Sequence, residues 1–284
     1  MQHKIMDMND KQLGMLMGLV VGDCLGSPIQ FSDKDAHPKI TSMEPCPVFH
    51  LPPGYWTDDS SMAFCVMDSF VRKGYDLQDI ANTFVQWYDH GYRSSIDHAF
   101  DIGFATSSAI AGIKCGRLSN GSENSQGNGS IMRLAPSYLI ARALRRPEIL
   151  SEVSDLTHSS GAVRATVAKM AGVLDEHLAG VRTAVRSRYS SREEVNNSGW
   201  ALSTLEAALW AFQTTDNFRD GLIAAVNLGG DADSIGAVYG QIAGAYYGYG
   251  AIPPEWVNAI HTVDTVRQWC EDFLTKLEPW RCPE

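Results

Sequence analysis

Two short segments of the sequence combine paired aspartates with a hydroxyl side chain. The first is Trp56-Thr57-Asp58-Asp59-Ser60, and the second runs from Gly229 to Ser234 as Gly-Gly-Asp-Ala-Asp-Ser. Each directly precedes a stretch of strongly helical composition, roughly residues 60–72 and 234–247. Aspartate, serine and threonine at a helix start often cap free N–H groups, so a pair of helix caps is one interpretation of these segments.

A shared metal site is the other interpretation, and the occurrence of two such segments favours it. Carboxylate and hydroxyl oxygens are the ligands of hard cations such as Mg²⁺ or Mn²⁺. Two aspartate pairs brought together concentrate negative charge that divalent ions between them would neutralise. We therefore expect the segments to converge on two metal ions, which can bind substrate oxygens and activate water for hydrolysis.

The elements that position these segments are predicted to be helices. Of the 284 residues, 44% are apolar and 20% are charged, a balance that can bury a sizeable core. No proline occurs between Gly54 and Ala135 or between Glu148 and Ile252, and apolar residues recur there with helical spacing. We predict an all-α fold, a compact orthogonal array of ten or more helices that forms a single domain over residues 1–284.

Glycine repeats every four residues in two places, once near the start of the chain and once after the second acidic segment. The two series are Gly14, Gly18, Gly22, Gly26 and Gly236, Gly240, Gly244, Gly248. Because glycine in a helix interior costs about 1 kcal/mol relative to alanine, we expect each series to pack closely against a neighbour in the core, with the other series as one candidate. Similar spacing occurs between membrane helices, but the short apolar run Leu13–Val21 and Asp23 favour a buried helix of a soluble protein.

The segment Ser119–Ser130 contains only Ser, Asn, Gly, Glu and Gln. It has no apolar residue to anchor it to a core, which is typical of a flexible linker. Helical character resumes immediately at Ile131, and a loop of this length inside a compact domain is usually functional. We therefore favour a functional loop.

Charge, cysteine content and missing motifs narrow the function classes. A net charge of -10 argues against broad binding to a nucleic-acid backbone. The six cysteines are scattered and no secretory signal is recognised, so we expect free thiols, a cytoplasmic location and no membrane segment. Serine hydrolases and nucleotide kinases are excluded by the absence of GxSxG and GxxxxGK[ST]. A helical metal-dependent phosphohydrolase is disfavoured because no His-Asp dipeptide occurs.

Six motifs, spread in order over about residues 12–250, together resemble those of the ADP-ribosylglycohydrolase family. They are Gly22-Asp23-Cys24-Leu25-Gly26-Ser27-Pro28, Thr57-Asp58-Asp59, Asp101-Ile102-Gly103, Gly127-Asn128-Gly129-Ser130-Ile131-Met132-Arg133-Leu134-Ala135-Pro136, Thr157-His158 and Gly229-Gly230-Asp231-Ala232-Asp233-Ser234. The resemblance implies an all-α fold that holds two Mg²⁺ or Mn²⁺ ions and removes ADP-ribose from an ADP-ribosylated protein or a small ADP-ribosyl compound. It also implies six metal ligands: Thr57, Asp58, Asp59, Asp231, Asp233 and Ser234.

The same resemblance implies roles for residues outside the two acidic segments. Asp101 would lie near the scissile bond and act in catalysis together with Asp58 and Asp59. A glycine-rich loop would cradle the diphosphate and ribose, a role suited to residues whose backbone N–H groups can approach phosphate. The implied substrate-binding residues are Gln30, Asp101, Gly127, Asn128, Gly129, Ser130, Met132 and His158.

Gln30 departs from the family pattern, in which a glutamate is common at this position. Glutamine can hydrogen-bond but cannot accept a proton, so an acceptor that leaves without acid assistance fits this chain better. A guanidinium can depart neutral and be re-protonated afterwards, which favours an arginine-linked substrate over a serine-linked one. The alternative function is a catalytically weak or silent ADP-ribose-binding or immunity-type protein of the same fold. For either function, we expect a monomer.

Overall fold

The computed structural model describes residues 8–280 and contains twelve α-helices in that range, with no strand. The all-α prediction is confirmed. The helices are α1 Met8–Gly26, α2 Asp58–Lys73, α3 Leu77–His90, α4 Phe104–Lys114, α5 Leu134–Leu144, α6 Glu148–Asp155, α7 Gly161–Leu178, α8 Ala201–Gln213, α9 Phe218–Val226, α10 Ala232–Tyr247, α11 Pro254–Ala259 and α12 Val263–Leu277.

The core is built around α1 and α10, which pack against each other through their glycines. A Cβ atom on Gly18 would lie 2.3 Å from the carbonyl oxygen of Gly240, and one on Gly14 would lie 2.7 Å from that of Gly244. Because later glycines of α1 meet earlier residues of α10, the two helices run antiparallel. The prediction that both glycine series lie in the core is confirmed, and each is the close neighbour of the other.

This antiparallel pairing determines where the acidic segments meet. The C-terminal end of α1, near Gly26, lies against Ala232 at the start of α10. The start of α2 is joined to the same end of α1 by hydrogen bonds between Thr57 and Asp23. One end of the central helix pair therefore carries both acidic segments. Both following helices begin two residues earlier than expected, at Asp58 and Ala232, so the second aspartate of each segment lies within the first helical turn.

Helix α1 is apolar enough to resemble a membrane span by length and composition, but it is a core helix here. The apolar 18-residue stretch within Met8–Ile29 is 94% buried inside the molecule. Five cysteines are free thiols in the described structure, of which only Cys115 is exposed, whereas Cys282 lies outside the described residues.

The polar segment Ser119–Ser130 is anchored to the fold, contrary to the expectation that nothing in it could hold it to a core. The buried Asn120 side chain donates a hydrogen bond to the carbonyl of Leu156, and its N–H donates to Asp155 at the end of α6. An asparagine can be buried here because backbone carbonyls satisfy its amide. Asn128–Ser130 then forms a buried 3₁₀ turn.

Candidate functional site

Thr57 is fixed by Asp23, an aspartate buried within α1. The Asp23 carboxylate accepts hydrogen bonds from the Thr57 N–H at 3.0 Å and the Thr57 hydroxyl at 2.9 Å. It also accepts from the N–H of Ser60 at 3.1 Å and its hydroxyl at 2.6 Å. Burial nevertheless raises the pKa of Asp23 to about 6. No role was predicted for Asp23, although an aspartate directly after the apolar run Leu13–Val21 and Gly22 was a usable signal.

Asp59 brings the two acidic segments together. Its Oδ2 atom lies 3.3 Å from the Thr57 hydroxyl and 3.4 Å from the Ser234 hydroxyl, which is 175 positions away in sequence. The residues that precede the two helices, Thr57 and Asp231, make no side-chain capping hydrogen bond. Helix capping therefore does not account for these segments.

The carboxylates around Asp59 are buried and interact with one another. Burial raises the pKa values of Asp58, Asp59 and Asp233 well above the ordinary range, and the negative charge of neighbouring aspartates raises them further. Asp231 contributes to the shifts of all three. We use the term acidic cluster for the carboxyl groups of Asp23, Asp58, Asp59, Asp101, Asp231 and Asp233.

The acidic cluster has the chemistry of a cation site. Three of its buried carboxyl oxygens, Asp59 Oδ1, Asp101 Oδ2 and Asp233 Oδ1, have no hydrogen-bond partner among residues 8–280. Buried polar atoms without partners are costly, and a divalent cation would satisfy several at once. Within the described part of the chain, no three acidic, imidazole or thiol side chains are already arranged as ligands of one ion. The donor set therefore fits Mg²⁺ or Mn²⁺, while its side chains are not arranged as a finished coordination shell.

Asp101 reaches the cluster from the segment before α4. Its φ angle of 58° is in the left-handed region, which is uncommon for a residue other than glycine. Burial raises its pKa to about 6, while side-chain contacts with Asp233 and Gln30 lower it. Gln30 is buried beside Asp101, but neither of its side-chain polar atoms makes a hydrogen bond of normal geometry within the described residues.

A cleft of about 860 Å³ opens over the acidic cluster. Asp58, Asp101, Asp231, Asp233 and Ser234 line it, while Thr57 and Asp59 are buried behind this wall. Three phenylalanines also line the cleft: Phe31, Phe49 and Phe104. Phe104 is 89% exposed and Phe31 is 65% exposed, so these two rings contribute little to the core.

The predicted glycine-rich loop, with His158 against it, lines the cleft beside the acidic cluster. Gly127, Asn128, Gly129, Met132 and His158 all line the cleft. A Cβ atom on Gly129 would lie 2.5 Å from the His158 ring, so only glycine fits there with the ring in this position. The Asn128 side chain donates to Asp231 at 2.6 Å and thereby ties the loop to the acidic cluster.

Two groups of the loop are not free to bind a ligand in the way the sequence analysis predicted. The N–H of Asn128 already donates to the carbonyl of Gly199 at 2.9 Å. The buried Ser130 hydroxyl accepts a hydrogen bond from Ser154 at 2.8 Å and is not part of the cleft wall.

Arg133 is a buried cation behind the loop, and no role was predicted for it. One of its terminal nitrogens donates to the carbonyl of Gly129, and the other donates to the Thr157 hydroxyl at 2.7 Å. Burial lowers its pKa to about 10, while the charges of Asp58 and Asp59 raise it. The guanidinium lies 4.9 Å from the centre of the Phe84 ring. Arg133 therefore holds the loop from behind and partly balances the acidic cluster.

The chain is similar to several known proteins. A family model described as ADP-ribosylglycohydrolase matches residues 5–283. The chain is 37% identical to "ADP-ribosylarginine hydrolase Tri1" of Pseudomonas putida, over 94% of this chain and 78% of that protein. It is 30% identical to "ADP-ribosyl-[dinitrogen reductase] glycohydrolase" of Rhodospirillum rubrum, over 89% and 90%. A solved structure of an "ADP-ribosylglycohydrolase-related protein complex" superposes with a TM-score of 0.82 at 33% identity, over 95% of this chain and 99% of that one. The chain belongs to the ADP-ribosylglycohydrolase family.

Proposed function

We propose that this protein is a metal-dependent hydrolase that removes ADP-ribose from arginine side chains of modified proteins. One observation carries the proposal: a buried acidic cluster and a glycine-rich loop line the same cleft and are joined by the hydrogen bond from Asn128 to Asp231. An ADP-ribosyl group, in which the distal ribose is attached to a diphosphate, matches a cleft lined by both a carboxylate cluster and a glycine-rich loop.

The metal-binding residues we propose are Thr57, Asp58, Asp59, Asp231, Asp233 and Ser234. Two divalent ions held there would neutralise the carboxylates and hold hydroxyl groups of the ribose. The proposal is supported by the buried carboxyl oxygens that have no partner among residues 8–280. Asp23 supports the site indirectly, because its four hydrogen bonds fix Thr57 and Ser60.

Asp101 is the proton acceptor in this proposal. It lines the cleft next to the rest of the acidic cluster, where its carboxylate can take a proton from a water molecule in the cleft. In a glycosidic hydrolysis, a carboxylate so placed also stabilises positive charge that develops on the sugar ring.

An arginine acceptor fits two further features: Gln30, which is buried beside Asp101 and is not part of the cleft wall, and two aromatic rings of that wall. Gln30 offers no proton to a leaving group, and a guanidinium leaves without one. The exposed faces of Phe31 and Phe104 lie where a planar cation can stack on an aromatic ring. The relative from Pseudomonas putida carries the name of an ADP-ribosylarginine hydrolase. A monomeric cytoplasmic enzyme acting on ADP-ribosylated protein completes the proposal.

The second candidate is an ADP-ribose-binding protein without turnover, and Gln30 is the observation that favours it. The test is to incubate the protein with arginine-, serine- and nucleic-acid-linked ADP-ribose, with Mg²⁺ or Mn²⁺, and to measure released ADP-ribose. We expect release from the arginine conjugate at a rate well above that from the other two. Tight ADP-ribose binding with no release from any conjugate would favour the binding protein and overturn the hydrolase.

A further inference from the structure

The segment that follows α7, residues 181–189, is extended and lies with one face against the core. Residues 181–187 form neither helix nor turn, and exposure alternates along the segment: the even-numbered residues from 182 to 188 are exposed, and the odd-numbered ones from 183 to 189 are buried or half-buried. Val185 and Tyr189 pack against the hydrophobic core. Successive side chains of an extended chain point to opposite faces, so the even-numbered side chains share the face toward solvent.

One edge of this segment is paired by a glutamine at the end of α8. The side-chain amide of Gln213 donates to the carbonyl of Val185 and accepts a hydrogen bond from the N–H of Ser187 at 3.0 Å. In an extended chain, the backbone groups of residues two apart point to the same edge. Gln213 therefore occupies the place that a neighbouring strand would take along that edge.

The other edge of the segment is open. The N–H and C=O groups of Ala184 and Arg186 make no hydrogen bond with any of residues 8–280, and both residues are exposed. These groups point away from Gln213, because Ala184 and Arg186 alternate with the residues that Gln213 binds. The open edge ends at Arg188, whose N–H donates to the buried Glu206 at 2.7 Å. Four backbone groups are thus available to another extended chain.

Two arginines on the exposed face beside this edge have no acidic partner. Arg186 and Arg188 make no ion pair or side-chain hydrogen bond within the described part of the chain, and the Arg188 guanidinium lies 5.6 Å from the centre of the Tyr189 ring. Arg182, on the same face, is already bound to the carbonyl of Phe212. In a protein of net charge -10, Arg186 and Arg188 form a positive site, with side chains about 7 Å apart along the segment.

We propose that residues 184–188, which we call the docking edge, bind an extended acidic segment of a partner protein. The segment would add as a strand and place acidic side chains two residues apart opposite Arg186 and Arg188. Backbone hydrogen bonds hold such a segment whatever its sequence, and charge pairs across the two strands select acidic residues. The docking edge lies outside the cleft wall, so this inference does not depend on the proposed hydrolase activity.

The chain itself does not supply a matching segment. A second copy that paired through the same edge would bring arginines against arginines, because the exposed face of residues 182–188 carries no acidic side chain. By sequence, residues 1–7 and 281–284 contain one acidic residue each, which cannot pair with two arginines. The occupant is therefore a different protein.

The probe for the docking edge is a short peptide of alternating glutamate and threonine, blocked at both ends, with a lysine–threonine peptide as its control. At low ionic strength, we expect saturable binding of the glutamate peptide to the full chain, with a dissociation constant below about 1 mM, and no binding of the lysine peptide. No saturable binding of the glutamate peptide overturns the proposal, and the arginines then only protect an exposed edge against pairing.

The place of binding is tested by hydrogen exchange of the backbone amides in the same complex. The N–H groups of Ala184 and Arg186 should exchange at least about tenfold more slowly with the glutamate peptide bound. The N–H of Ser187 should change little, because Gln213 already holds it. Protection that leaves Ala184 and Arg186 unchanged overturns the proposal.

Arg186→Glu tests the role of charge, and Lys276→Glu on α12 is its matched control. Both variants change the net charge equally at an exposed residue, but only Arg186 belongs to the docking edge. Arg186→Glu should bind the glutamate peptide at least about tenfold more weakly than Lys276→Glu, because an attractive pair across the strands becomes a repulsive one. Equal affinities of the two variants overturn the proposal.

Strand addition is tested with a glutamate peptide that is N-methylated at every residue. This peptide keeps all its charges and loses its N–H donors, so it should bind the parent protein at least about tenfold more weakly than the unmethylated peptide. If both peptides bind equally well, attraction between charges alone holds them and the docking edge adds no strand. Because the parent protein is used, this result does not depend on the folding of any variant.

Discussion

The backbones of Gly22 on α1 and Gly236 on α10 are in contact with no side chain between them. A Cβ atom on Gly22 would lie 2.0 Å from the carbonyl oxygen of Gly236, closer than nonbonded atoms can approach. The next residue after Gly22 is Asp23, and Asp233 lies one helical turn before Gly236. This contact therefore brings two residues of the acidic cluster to the same end of the core.

Replacing a glycine in this contact should destabilise the whole fold. In Gly18→Ala, the added methyl would lie 2.3 Å from the Gly240 carbonyl oxygen, and rigid backbone leaves it no room. We expect the free energy of unfolding to fall by about 2 kcal/mol or more, as in other overpacked cores. Urea denaturation of Gly18→Ala and of the parent protein measures this fall in the free energy of unfolding.

Gly172→Ala is the matched control, because Gly172 lies within α7 and a Cβ atom there would meet no atom within 4 Å. This change should leave stability unaltered or raise it by about 0.5–1 kcal/mol. If both variants unfold at the same urea concentration, the close helix contact does not hold the fold.

The sequence predicted the parts of this structure that follow from local pattern. Glycine spacing predicted that both series would be buried, because bare helix surfaces need a close neighbour. Repeated acidic motifs indicated which segments belong together. The supporting residues were missed because their roles depend on tertiary packing: nothing local to Arg133 shows that it faces Gly129 and Phe84 instead of solvent. The burial of Asn120 was missed for the same reason.

Asp101→Asn should abolish most turnover while keeping the ligand bound. Asparagine preserves the shape of the side chain and removes its basicity, so we expect kcat to fall by about 100- to 10,000-fold, with ADP-ribose affinity changed by less than about threefold. Asp97→Asn is the control, since the Asp97 side chain is 96% exposed and outside the cleft wall. Unaltered hydrolysis of the arginine conjugate by Asp101→Asn would show that another group accepts the proton.

Gln30→Glu should add a titratable group beside Asp101. Burial near other carboxylates would raise the pKa of the new glutamic acid, so it could donate a proton to a leaving hydroxyl. We expect at least about tenfold faster release from the serine conjugate, with metal affinity nearly unchanged. Gln30→Met, which has similar length and no proton, should not show the gain. Equal rates in the two variants would contradict this role for position 30.

His177 should make the protein less stable as the pH falls from 7 to 5. Burial lowers its pKa to about 4, so the unfolded chain, with a pKa near 6.5, binds a proton that the folded state refuses. The contribution of His177 to the free energy of unfolding is therefore fully present above about pH 6.5. It is lost as the pH falls toward the pKa of His177 in the folded state, and the loss is about 2 kcal/mol at pH 5.

The measurement compares urea denaturation of the parent and of His177→Gln at pH 7 and pH 5. Titration of the acidic cluster acts on both proteins, so the difference between their pH dependences isolates His177. The variant should lose less stability on acidification. An identical loss in both proteins would show that His177 does not titrate differently on folding.

Release of ADP-ribose from an arginine conjugate, measured before and after metal depletion, is the decisive assay for a metal-dependent hydrolase. With chelator present, we expect the rate to be at least about a hundredfold below that of the metal-loaded protein, because the acidic cluster would lack the ions that hold the ribose. Adding Mg²⁺ or Mn²⁺ should restore the rate in the parent protein, and Asp59→Asn should need much more metal. Release that is equally fast in chelator, or no release after metal is restored, would contradict the proposed function.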